Sequence, residues 1–244
     1  MTRSLPALAA FAVLTGLTLA GCEKVDDAAF GQRVRAYLMQ HPEVIREAAL
    51  KLAENDRVAA AKATTASMAK YRAQLERDPR DFVANPDGKI TVVEFFDYRC
   101  GYCKLAAPEV VKLINENPDV RFVFKEFPIF GEVSDTAAKM ALTPIGKTKG
   151  LALYSLWMNE KALNEAALDR HLASAGLDPS AVRKAAIDPQ IDRQILDTRA
   201  LANALRIDGT PAFIIGDTII PGADIAALRA AITQAKAGTL KKLS

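Results

Sequence analysis

Two histidines, His41 and His171, are all that this 244-residue sequence holds, against 32 basic and 29 acidic residues. So little histidine starves most metal centres, since only these two could complete a zinc site begun by cysteine. The five methionines form no cluster beside the cysteines that would suit a soft ion such as Cu(I). Charge has no bias to exploit: a formal +3 with both signs interspersed leaves no footprint for nucleic acid or for a strongly anionic surface. Aromatics are few, yet half the residues are hydrophobic, which excludes a disordered chain and allows one substantial core with a small accessory domain. The long apolar run, residues 5–20, falls short of the ~20 residues a transmembrane helix needs.

Cysteine is scarce too, at three, but two of the three organise the chain. Residues 90–108, ITVVEFFDYRCGYCKLAAP, run from a β-branched and aromatic strand pattern directly into a helical one, so Cys100 and Cys103 stand at a strand-to-helix junction. A helix beginning there points its free N–H groups and positive dipole end at the first sulfur, which favours thiolate over thiol. Cys100 is therefore the expected nucleophile and the accessible thiol, Cys103 the shielded residue that resolves a mixed disulfide, and Gly101 and Tyr102 the pair that tunes them. A structural disulfide and half a zinc site are the other readings of Cys-x-x-Cys. Glu94, in the same apolar run, is costly to bury ionised, so it needs a cation or a raised pKa, unless it lies on a strand edge reaching water. Lys125, on the next strand pattern at residues 120–127, is the candidate cation.

EFFDYRCGYC, with GTPAF at residues 209–213, resembles the DsbA-like branch of the thioredoxin superfamily over about residues 89–236. The resemblance implies an α/β thioredoxin-like fold carrying a helical insertion at about 134–205, within a domain spanning 81–240. It further implies a cis proline at Pro211 facing the cysteines, Thr210 offering backbone groups to a substrate strand, and Glu94 assisting proton transfer. No organic cofactor is implied.

Before that domain, residues 22–80 read as helical, with apolar positions at Phe30, Val34, Tyr37, Leu38, Val44, Ile45 and Leu52 and a break at His41-Pro42. These helices either fold back on their own domain or pair with copies of themselves, and in relatives with such extensions, the ScsC group, they oligomerise. Turn chemistry at residues 78–88 marks the boundary. The insertion reads as four or five short helices, with Asp178-Pro179 and Asp188-Pro189 as helix starts. Tyr154 and Trp157 read as core, His171 as a helix-surface or packed residue.

Residues 1–21 read as an export signal ending in Leu19-Ala20-Gly21-Cys22, which resembles a bacterial lipobox and implies acylation of Cys22; an ordinary cleaved signal or an uncleaved anchor are the alternatives. The whole describes a periplasmic, lipid-anchored thiol-disulfide oxidoreductase acting on exported cysteine-containing proteins and reset by a membrane redox partner. The rival is a lipoprotein that binds or delivers copper through the two thiolates.

Overall fold

The computed structural model describes residues 27–240. Two helices come first, α1 (Asp27–Gln40) and α2 (Glu43–Glu76), broken at His41-Pro42 as the proline requires. His41 is a junction residue, its ring 4.5 Å from that of Tyr37 and its Nδ1 3.1 Å from Glu43. The chain divides into two compact units, one reaching Glu54 and one starting at Asn55, so the division falls inside α2. In the first unit α1 buries nothing, and Phe30, Tyr37, Ile45, Leu50 and Leu52 are exposed.

The second unit is built on a five-stranded sheet in the order β1-β3-β2-β4-β5, from β1 (Phe82–Ala84), β2 (Ile90–Phe96), β3 (Val120–Glu126), β4 (Ala212–Ile215) and β5 (Thr218–Pro221). Only β2 and β3 run parallel, joined by the crossover helix α3 (Gly101–Glu116). β1 was not legible among the turn residues at 78–88. It pairs antiparallel with β3 and sets Phe82 opposite Phe124. Gly150 admits Phe82, whose ring would lie 2.4 Å from a Cβ at that position. The β4–β5 hairpin turns through Gly216 at φ +57°, a left-handed conformation glycine adopts without penalty.

Strand alternation sorts the core into two layers. Val92, Phe96, Phe122, Phe124 and Phe213 pack against Cys103, Ala106 and Val110 of α3. On the other face Val93, Phe95, Val123 and Ile214 meet Met68 and Leu75 from the end of α2. That end is therefore part of the domain core, and truncating Met68 to alanine would cost about 2–5 kcal/mol.

Between β3 and β4 lie six helices, one or two more than the sequence suggested: α4 (Glu132–Leu142), α5 (Pro144–Lys147), α6 (Gly150–Asn159), α7 (Glu165–Ser174), α8 (Pro179–Ala185) and α9 (Pro189–Ala204). The extra piece is α5, started by Thr143, whose hydroxyl accepts from Gly146 N–H while Pro144 occupies the first turn. Asp178 and Asp188 cap α8 and α9 by accepting from Ser180 and Gln190 N–H. A last helix, α10 (Ile225–Lys236), covers β4 behind its cap Asp224.

Candidate active site

Cys100 is the N-cap of α3, and its sulfur accepts from Cys103 N–H at 3.4 Å. Both cysteines are free thiols. The Cys100 pKa is lowered to about 6, first by the Cys103 thiol and then by the N–H groups of Cys103 and Tyr102, with burial opposing. Cys103 is pushed far the other way, mainly by burial and by the hydrogen bond it gives Cys100. One sulfur is held as an anion and its neighbour as an acid, the division a nucleophile and a resolving thiol require.

The expectation of an open Cys100 needs correction, because the residue is only 2 % exposed and Cys103 is at 0 %. What covers it is the loop before β4. The Thr210–Pro211 peptide is cis, and the Thr210 carbonyl lies 3.1 Å from the Cys100 sulfur. The Thr210 hydroxyl has no hydrogen-bond partner. Pro211 is buried, its carbonyl accepting from Gly222 N–H at 2.8 Å. Gly101 faces open space, whereas Tyr102 stands 67 % exposed beside the pair.

Glu94 is buried, which rules out the strand-edge reading. Lys125 is not its partner. Register sets Glu94 opposite Phe124 and Lys125 opposite Phe95, and since side chains alternate, acid and base lie on opposite faces of the sheet. Lys125 instead meets Asp81 at 2.5 Å and donates to the Gln74 carbonyl at 2.6 Å, fastening the end of α2 to the sheet. Glu94 accepts from the Tyr154 hydroxyl at 3.0 and 3.1 Å. Burial raises its pKa to about 8; Tyr154 opposes the rise and the Cys100 charge adds to it. Glu94 is thus mostly a neutral acid at pH 7, lying behind the dithiol, able to give a proton and, once ionised, to take one back.

Tyr154 was expected as core and is buried, but its hydroxyl has this second duty. Asp97 was missed altogether. Its buried carboxylate accepts from Arg99 N–H and the Ser134 hydroxyl on one oxygen, and from Ile129 and Phe130 N–H on the other, at 2.7–3.0 Å. An acid inside EFFDYRC was the available signal. His171 pairs with Glu160 at 3.1 Å. Among the described residues no three His, Cys, Asp or Glu side chains are grouped to hold a metal. Cys22 lies outside the described residues.

Residues 76–234 match the family described as Thioredoxin, and residues 26–58 match the Copper resistance protein ScsC N-terminal domain. A linker-deletion mutant of Proteus mirabilis ScsC is 26 % identical, with 91 % of this chain and all of that one covered and a TM-score of 0.67. The thiol-disulfide exchange protein alpha-DsbA2 of Wolbachia pipientis is 27 % identical over 72 % of this chain and 98 % of its own, at a TM-score of 0.67. A periplasmic thioredoxin-like protein of Salmonella enterica serovar Typhimurium is 32 % identical over 68 % of this chain and 95 % of its own, at a TM-score of 0.63. The chain spans about a quarter of the length of the curated relatives it matches, such as the Na(+)/H(+) antiporter NhaA 1 of Salinispora arenicola, 29 % identical over 66 % of this chain and 26 % of that one.

Proposed function

The chain belongs to the thioredoxin family, and on that premise we propose that it is a thiol-disulfide oxidoreductase that rearranges disulfides in exported proteins while tethered through Cys22 to a bacterial membrane. The observation that carries the chemistry is the opposed pair of thiols, Cys100 lowered to about 6 and Cys103 raised, with Glu94 behind them.

The Cys100 thiolate attacks one sulfur of a substrate disulfide; a new S–S bond forms to Cys100 and the other substrate sulfur leaves as a thiolate. In isomerisation a different substrate thiolate then attacks the substrate sulfur of that mixed disulfide and expels Cys100, with no net change in electrons. If no such thiol arrives, Glu94, having given its own proton to the departing substrate thiolate, takes the Cys103 proton as Cys103 attacks Cys100. The substrate leaves reduced by two electrons and the enzyme keeps the disulfide, which a membrane redox partner reduces again. Oxidation is the same path run backwards. The low Cys100 pKa makes it the better leaving group whenever a substrate thiolate resolves the mixed disulfide, in isomerisation and in oxidation. Thr210 offers its backbone to an extended substrate segment beside the sulfur.

Shuffling is favoured over one-way oxidation by the first unit. Its similarity to the ScsC amino-terminal domain and its exposed Phe30, Tyr37, Ile45 and Leu52 support self-association through α1 and the start of α2. Several sites sharing one cleft raise the local thiol concentration around a misfolded substrate. The reading of residues 1–21 as an export signal and the likeness to a periplasmic protein support a periplasmic location. Copper binding is the weaker reading, because a soft ion wants two thiolates and burial keeps Cys103 protonated.

The test compares the Cys22→Ser chain with one beginning at Asn55, by light-scattering mass and by recovery of a scrambled-disulfide protein. The cut belongs at residue 55, since Met68 and Leu75 are core. The longer chain is expected to be an oligomer that isomerises, the shorter a monomer that still oxidises thiols. A monomer in both forms would leave only a tethered oxidase or reductase.

A further inference from the structure

Exchange through Cys100, Cys103 and Glu94 leaves one buried acid on the same face of the sheet unused. Glu126 ends β3, opposite Phe96 in the parallel register and two positions from Phe124, which faces Glu94. It is buried at 6 % exposure, and its Oε1 accepts from the Tyr98 hydroxyl at 2.8 Å. The two acids are built alike, each bound to one buried tyrosine.

Beside Glu126 lies a cavity lined by Tyr98, Glu126 and Tyr154, the tyrosine bound to Glu94, with Phe96 and Phe124 as apolar walls. Its volume is about 10 Å³ to the centre of a water molecule, room for one water. Tyr98 and Tyr154 each pack edge-on against Phe96, at 5.1 and 5.3 Å between ring centres. A hydroxyl both donates and accepts, so Glu94, Tyr154, the cavity, Tyr98 and Glu126 form a row of groups able to exchange protons.

We propose that Glu126 is a positioning residue for thiol exchange: through Tyr98, the cavity and Tyr154 it forms one proton-sharing unit with Glu94, and so sets how readily Glu94 takes the proton of Cys103. The proposal rests on the exchange reading above. When Cys103 attacks, its S–H proton passes to the Glu94 carboxylate, and the Glu126 carboxyl shares that charge change without any electron transfer. Burial raises the Glu126 pKa well above the ordinary range, and nearby Asp97, Glu94 and Asp81 raise it further. The other titratable groups facing it are Tyr98 and, across the cavity, Tyr154. Lys125 is on the opposite face, held by Asp81. No cation among these neighbours separates the two acids, so ionising one makes the other harder to ionise.

The test follows reduced full-length protein reacting with an aromatic disulfide from pH 5 to 9. The first thiol released reports Cys100 and the second reports attack by Cys103. In Glu126→Gln the first phase is expected to keep its rate and pH dependence, while the midpoint of the second moves at least half a unit toward higher pH, because ionised Glu94 loses the protonated neighbour that shares its charge. An unchanged second midpoint in a folded variant overturns the proposal. Loss of the first phase in the wild type would instead overturn the exchange reading. Should Glu126→Gln not fold, carboxyl carbon-13 titration of Glu126 in wild type and Glu94→Gln decides the matter. Coupling is reciprocal, so the Glu126 midpoint must fall when Glu94 is neutralised, and an identical titration refutes the pairing.

Discussion

Replacing Glu94 by glutamine should make the reduced protein more stable at neutral pH while making it a poorer enzyme. The amide keeps the shape and can still accept from Tyr154, but it has no proton to hold. In the wild type the folded acid titrates at about 8 against an ordinary 4.5. The folded chain therefore retains a proton that the unfolded chain releases, and stability falls as pH rises through that window. At pH 7 the loss is about 3 kcal/mol, levelling off above pH 8 near 5 kcal/mol. Urea unfolding of the reduced wild type and Glu94→Gln should give near-equal free energies at pH 4, and a gap opening to about 3 kcal/mol in favour of glutamine by pH 7. Exchange by the variant should slow by about 10²-fold, the usual loss when a positioned proton carrier is removed. Parallel stability curves from pH 4 to 8 would show that Glu94 titrates as an ordinary carboxyl, and the burial argument would fail.

Cys100 carries the opposite sign. Its folded pKa of about 6 lies below the ordinary 9, so its contribution to the reduced protein grows as pH rises from 6 to 9, and substoichiometric alkylation at pH 6.5 should mark Cys100. Adducts mapped to Cys103 would reverse the assignment. Lys125→Met strands Asp81 beside Gln194 and should cost about 3–5 kcal/mol in urea unfolding, yet leave the pH profile of exchange in place, since Lys125 faces away from Glu94; a displaced profile would restore the link between them. Cys22→Ser should release the protein from membranes, and an unmodified amino terminus downstream of Cys22 in the membrane-extracted wild type would refute acylation.

What the sequence made legible was local. The Cys100 cap, the helix starts at Asp178 and Asp188 and the break at His41-Pro42 each depend on a few neighbouring residues, and each is found. Lys125 could not be placed, because which face of the sheet it occupies depends on its register with β2, and one residue of slip reverses the answer. Tyr154 stands 60 positions from Glu94, and nothing in its own helix distinguishes it from the aromatic core around it. The β1 strand is three residues long and exists only because β3 offers an edge. The loop over Cys100 was legible only through the resemblance, which set Pro211 facing the cysteines; how fully it covers the sulfur was not, since it arrives 110 residues later.

Asp97 has a consequence for whatever binds here. The same carboxylate holds Arg99, next to the nucleophile, and the main chain of Ile129 and Phe130, whose side chains are 42 % and 47 % exposed. Arg99 in turn donates to the Phe130 carbonyl at 2.9 Å. The apolar lip of the site and the turn that aims the sulfur are cast from one mould, set before any client arrives. A half-folded client chain then bears most of the ordering cost itself. On the proposed function, a client already packed into its native form has no loose segment to lay along that lip and should bind less well than an unfinished one.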